Sequence, residues 1–338
     1  MLNNPKNPYS KYKETADLKD LQVEKQPTKG RATPVPTPDY SKNNIVDVNK
    51  EIGFNNFPKV QDFKEFDPVE QLPDSFYINV VASRRSGKGV LTEWILNKFQ
   101  KDKSKKFDAI FLVSPTGDKN FMGIPPTYKF SDLTILNYVM SKQREIKEYN
   151  AQITSEYKSK SISSRVCVVI DDMAFSGDLH SSKVMNELAM NGRHISNPVD
   201  REGNCLSVIV LSQQINKISP AQRRNNDYIF FNSLSSSLEA EMILSECFFV
   251  LDTSRRGKQL ARELYHDLST SKDYRFIGVG NCIQNKRNLK DYVFTVDAEL
   301  KKPFKLFGDK GDWETDRYFP KKDKYSRFNL KSKKKILS

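Results

Sequence analysis

The chain has 338 residues, 37% hydrophobic and 29% charged, enough to bury a core in one large domain with appendages or in two small ones. Its formal net charge of +13 suits a polyanionic partner, either nucleic acid or an anionic membrane surface. Cys167, Cys205, Cys247 and Cys282 form no C-x-x-C pair, and His180, His194 and His266 form no H-x-x-x-H pattern, which argues against a disulfide framework or a zinc site. No apolar run approaches the ~20 residues of a membrane-spanning helix. MLNNPKNPYSKYKET lacks the apolar stretch of a secretory signal. A soluble intracellular protein is expected.

Residues 1–70 read as a flexible tail and docking arm. PTKGRATPVPTPDYSKNN has little to bury. Phe54, Phe57, Phe63 and Phe66 are spaced anchors for the following domain or a neighbouring subunit. Residues 71–305 then alternate strand and helix signals, predicting an α/β domain with a largely parallel sheet. SFYINVVA is a strand and GVLTEWILNKFQ an amphipathic helix. FDAIFLVSP is a strand closed by Pro115, and SDLTILNYVMSKQREIKEYNAQITSEY has helical apolar spacing. RVCVVIDDM is an apolar run ending in two acids, as in a strand buried on both faces. SSKVMNELAMNGRH is a serine-capped helix ending around Asn191-Gly192, and CLSVIVLSQQ a second central strand. DYIFFNSL is a strand, SSSLEAEMILSECFF and RRGKQLARELYHDLS are helices, and YRFIGVGN and KDYVFTVDAEL are strands. Residues 306–338 form a basic tail.

Three motifs carry chemistry. ASRRSGKG sits between a strand and a helix and matches the phosphate-loop template G-x-x-x-x-G-K-[ST], except that Ala82 replaces the first glycine and Gly89 the Ser/Thr. Such a loop aims backbone N–H groups and a helix N-terminus at phosphate oxygens, here through Ser83, Arg84, Arg85, Ser86, Gly87, Lys88, Gly89 and Val90. Lys88 supplies a point charge for the β- and γ-phosphates of ATP. Asp171 ends an apolar strand, where a carboxylate holds the water shell of Mg²⁺, and Asp172 beside it can polarise an attacking water. LSQQ ends another strand. Gln213, ahead of Gln214, is the candidate to hydrogen-bond the γ-phosphate or the lytic water.

In order, ASRRSGKG, VVIDDM, NGRH, VLSQQ and RRNND resemble the genome-packaging ATPases of large DNA viruses, the poxvirus-type branch of the FtsK–HerA superfamily. The resemblance spans residues 74–251. It implies a RecA-like P-loop core of the ASCE type, with a strand between the phosphate-loop and acid strands. It further implies a homo-oligomeric ring (a pentamer or hexamer), Mg-ATP hydrolysis, double-stranded DNA as cargo and capsid vertex proteins as partners. The place of action would be the virion or the host-cell site of virus assembly. Lys88, Asp171, Asp172, Gln213 and Arg224 take the catalytic roles in this carry-over. Arg224 would be the arginine finger reaching a neighbour's ATP, with Arg223 and Arg193 as rivals. Arg193 and His194 match the family's Arg-His pair, serving subunit contact or coupling.

Two departures bear on this reading. Gly89 removes the hydroxyl that would ligate Mg²⁺; Thr92, a helical turn on, is a poor substitute, so water is expected to fill that position. Weaker metal affinity or slower turnover follows. Arg84 and Arg85 resemble the loop arginines of phage terminase motors and could act in cis. The alternatives are a terminase-like motor, a cellular FtsK–HerA translocase, or an assembly component that binds nucleotide without cycling. Residues 197–204 and the cationic C-terminus are candidate DNA contacts.

Overall fold

All residues of Tyr77–Val81 and Ala109–Val113 are buried, and Ser164–Asp171 is buried through its apolar centre. Parallel strands covered by helices on both faces require that pattern. The structure, a computed structural model, describes residues 58–298 except 116–120, 122, 126–127, 152–163, 172, 174–180, 196–203, 233, 235, 249–254, 285 and 287. Asp172, Phe54, Phe57, residues 197–203 and the C-terminal tail therefore lie outside the described residues, as do the side chains of Arg193 and Asn204.

The strands are β1 (Lys64–Glu65), β2 (Tyr77–Val81), β3 (Ala109–Val113), β4 (Lys129–Phe130), β5 (Ser164–Asp171), β6 (Asn204–Ser212), β7 (Tyr228–Phe231), β8 (Phe276–Gly280) and β9 (Val293–Val296). Among the described residues they form one 9-stranded sheet in the order β1-β9-β8-β7-β2-β6-β5-β3-β4. Only β7–β8 and β8–β9 pair antiparallel. The helices are α1 (Pro68–Gln71), α2 (Lys88–Lys101), α3 (Thr134–Ala151), α4 (Lys183–Ile195), α5 (Pro220–Arg224), α6 (Ser237–Cys247), α7 (Arg255–Thr270) and α8 (Leu289–Tyr292). The sheet is mostly parallel and flanked by helices, the α/β architecture expected from the sequence. No helix among the described residues is long and apolar enough to cross a membrane.

Helix α2 shows how sequence becomes position. Leu91, Ile95 and Phe99 recur every fourth residue and are buried with Thr92 and Leu96, fixing the helix against the sheet. Each such apolar side chain contributes about 1.5–3 kcal/mol on burial. Phe99 stacks on Phe107 at 5.1 Å and meets Phe76 edge-on at 5.4 Å, tying the far end of α2 to the approaches of β3 and β2. The helix stops at Asp102, whose carboxylate accepts the N–H groups of Ser104 and Lys105 in a turn. Lys98 and Lys101 in the last turn complement the helix dipole.

Two apolar clusters hold the sheet. The larger joins β2, β3, β5 and β6 to α2, α3 and α4; the smaller joins β7, β8 and β9 to α6 and α7. Strand β2 serves both, with Ile78 and Val80 in the first and Val81 in the second. Phe63 and Phe66, read from the sequence as anchors, are buried in this domain, and the sheet begins at Lys64, within the stretch read as an arm. Phe66 meets Tyr228, Phe230 and Phe294 edge-on at 4.9–5.9 Å. Helix α4 runs through Gly192 rather than ending there, because Ile195 carries its buried face one turn further.

Candidate nucleotide site

The loop of residues 82–87 leaves β2 and ends where α2 starts at Lys88. Ala82 is fully buried and its N–H donates to the Ser212 carbonyl oxygen at 3.2 Å. It continues the strand rather than turning the loop, so a side chain is accommodated where the template has glycine. The turning falls to Arg85 (φ 61°) and Gly87 (φ 91°). Alternation into the left-handed region curls successive backbone amides into an anion-binding concavity. The N-cap of α2, Gly87, has no side chain to cap the first turn, leaving that turn suited to an anion.

Lys88 Nζ donates to the carbonyl oxygens of Ala82 and Ser83, 2.7 Å from each, and Ser86 Oγ donates to the same Ser83 oxygen at 2.7 Å. The ammonium thus lies across the start of its own loop. Arg84 and Arg85 are exposed. A Cβ placed on Gly89 would meet no heavy atom within 4 Å, so the backbone there has room for water or a larger side chain. Thr92 is fully buried and its hydroxyl donates to the Lys88 carbonyl oxygen at 3.0 Å. That engagement withdraws Thr92 as a metal ligand, and the residues present fit a magnesium held through water.

Strand register aligns the remaining groups. Leu211 of β6 pairs with Val80 of β2 on one side and with Asp171 of β5 on the other. Asp171 therefore stands level with the end of β2, two strand spacings or about 10 Å across the sheet, and is half-buried. Ser212 pairs with Val81, so Gln213 emerges beside the loop entrance, half-buried. Gln214 is exposed, and its backbone closes a turn: its N–H donates to Ser212 Oγ, which donates to the Gln214 carbonyl oxygen. These ends lie at the carboxyl edge of the parallel strands, where open α/β sheets bind ligands.

The arginines separate by environment. Ser219 caps α5 by accepting the Gln222 N–H, and Pro220 occupies its first turn. Arg223 on this helix bonds the Glu246 carboxylate at 3.1–3.2 Å and the Ile218 carbonyl oxygen at 2.6 Å. Arg224, next along, is exposed. Asp227 of RRNND is buried and accepts the Tyr77 N–H at 2.8 Å, a structural tie between β7 and β2. His194 is exposed, and its carbonyl oxygen accepts from Lys147 Nζ at 2.7 Å.

Two features escaped sequence reasoning. Asn186 of α4 accepts from Ser219 Oγ at 2.9 Å and Gln222 Nε2 at 3.2 Å, joining the helix after β5 to the arginine-bearing α5. Tyr274 and Phe276 lie against Gly87, 3.6 Å and 3.7 Å from where its Cβ would stand. YRFIGVGN reads as one strand, whereas β8 starts at Phe276 and Tyr274 has φ 58°. No periodicity marks such a turn.

With β6 inserted between the loop strand and the strand ending in Asp171, the sheet has the intervening strand expected of a RecA-like core. No family model matches the chain, and no curated protein matches it. Among solved structures it is similar to the genome packaging NTPase B204 from Sulfolobus turreted icosahedral virus 2 in complex with ATP-gammaS, at 15% identity and TM-score 0.41, covering 63% of this chain and 96% of that one. The sulfate complex of the same protein gives 17% identity and TM-score 0.42, over 68% and 100%. The pCW3 conjugation coupling protein TcpA with ATPgS gives 15% identity and TM-score 0.39, over 66% and 67%. Likeness of that degree transfers no activity, and the functional reading rests on the chain's own residues.

Proposed function

We propose that the protein is an ATP-driven double-stranded DNA translocase that packages a viral genome into a capsid. The observation that carries this reading is the alignment of the 82–88 loop, Gln213 and Asp171 on three adjacent strand ends. Lys88 exchanges its loop carbonyls for phosphate oxygens, and the first turn of α2 receives the remaining charge. Asp171 would hold Mg²⁺ through water. When bound, the ion neutralises charge on the transferring phosphoryl group. Gln213 orients the lytic water, with Asp172 beside Asp171 as its base.

Arg224, exposed at the end of α5, reaches a neighbouring subunit's nucleotide in a ring; an arginine finger contributes about 10³-fold or more to turnover. Arg223 holds the helix that carries it. The +13 charge draws DNA through sequence-independent phosphate contacts. The working place is the site of virus assembly, with capsid vertex proteins as partners.

Gly89 favours a second reading, an assembly component that binds ATP without cycling. Measuring binding and hydrolysis separately, with and without duplex DNA, distinguishes them. DNA-stimulated hydrolysis supports the motor; tight binding with no hydrolysis under any DNA condition supports the second reading.

A further inference from the structure

Gly87 and Tyr274 meet at the mouth of the loop. Tyr274 precedes β8, two strands from β2, and its ring crosses to the loop: Cδ1 lies 3.6 Å from the position of a Gly87 Cβ, with Phe276 at 3.7 Å. Phe276 is buried, as a packing residue should be, but Tyr274 remains 65% exposed. Val90, in the first turn of α2, is also exposed at 39%. Two of the exposed large apolar side chains among the described residues therefore border one loop.

The backbone at Tyr274 is held in an unfavourable shape. Its φ of 58° is an outlier for a bulky residue. Such conformations persist where the surroundings over-determine them, and they collect at ligand sites. Here the neighbouring Arg275 does the holding. Its Nε and one terminal nitrogen donate to the two oxygens of Asp297 at 2.7 Å and 2.6 Å, and its other terminal nitrogen donates to Ser271 Oγ at 2.8 Å. Lys272 closes on the same carboxylate at 3.3 Å. The turn is clamped and the ring is presented.

We infer that Tyr274 is the stacking platform for the base of the nucleoside triphosphate whose phosphates the 82–88 loop holds. This rests on the phosphate-site reading above. Asp171 and Gln213 occupy the β6–β5 flank of the loop, so the base rests on the β7–β8 flank, where the exposed ring stands. An aromatic face stacks on any base, so the platform adds affinity with little discrimination among bases.

The test titrates the full chain with ATP and with inorganic tripolyphosphate, both with Mg²⁺. Tyr274→Ala should weaken ATP binding about ten-fold or more while leaving tripolyphosphate binding unchanged. In Tyr274→Trp, ATP affinity should hold, and ATP but not tripolyphosphate should quench indole fluorescence beyond the change in wild type. Equal weakening of both probes in Tyr274→Ala would show a mere prop for the loop and overturn the inference. Should Tyr274→Ala not fold, the Trp variant decides: no ATP-specific quenching at saturation overturns it equally. Wild type that binds neither probe refutes the phosphate site itself.

Discussion

Arg223 holds both carboxylate oxygens of Glu246 at 3.1–3.2 Å, and its remaining nitrogen holds the Ile218 carbonyl oxygen at 2.6 Å. A guanidinium engaged in that way is committed within its own subunit; its neighbour Arg224 is exposed and has no such clasp among the described residues. Arg223→Ala should cost about 1–2 kcal/mol of stability. Arg224→Ala should leave the melting temperature unchanged and lower turnover about 10³-fold in the assembled state. Paired thermal melts and steady-state ATPase assays check this. The reverse pattern would move the trans-acting role to Arg223.

Gly89 has open space where the template carries a hydroxyl. Gly89→Ser should fold at least as well as wild type, gaining about 0.5 kcal/mol from helix propensity. Its half-saturating Mg²⁺ concentration for hydrolysis should fall. An unchanged magnesium dependence would mean that the ion is not held near the start of α2.

The two glutamines of LSQQ should respond differently. Gln213→Ala should retain ATP binding and lose turnover, because Gln213 stands beside the loop at the end of β6. Gln214→Ala should behave as wild type, since its backbone is folded into a turn with Ser212. Binding and turnover measured on the same preparations separate the two roles.

Hydrogen bonds from Arg275 hold the Asp297 carboxyl below the usual carboxylate range; burial opposes them, and the charges of Arg275 and Lys272 reinforce them. A carboxyl with a depressed folded value adds stability above its ordinary value of 3.8 and loses it as pH falls further. Asp297→Asn should therefore be less stable at neutral pH by about 1–2 kcal/mol after solvent screening. The gap should shrink as pH falls below the ordinary carboxylate value and close only below the depressed folded one. Denaturant melts across pH check this sign.

The long buried strands were legible because β2, β3, β5 and β6 are continuous apolar runs that short length and β-branched content distinguish from helices. The loop and Asp171 were legible as motifs at strand ends. Strands β1 and β4 were not, since two residues each carry no periodicity. Sequence order alone does not place β6 between β2 and β5, because that neighbourhood arises from crossovers rather than from adjacency; the expectation of an intervening strand came from the family resemblance. Nor could composition separate Arg223 from Arg224: the difference lies in Glu246, on another helix. Tyr274 was hidden for the same reason, its role set by a backbone turn and by Gly87 across the sheet.

In the proposed motor, nucleotide held at the Lys88 loop drives DNA movement. The most direct measurement is the ATPase rate of wild type and Lys88→Ala, at known oligomeric mass, against duplex DNA of increasing length. Hydrolysis by wild type should rise with DNA and vanish in Lys88→Ala. Equal hydrolysis with and without DNA in an assembled ring, or activity surviving in Lys88→Ala, would contradict it.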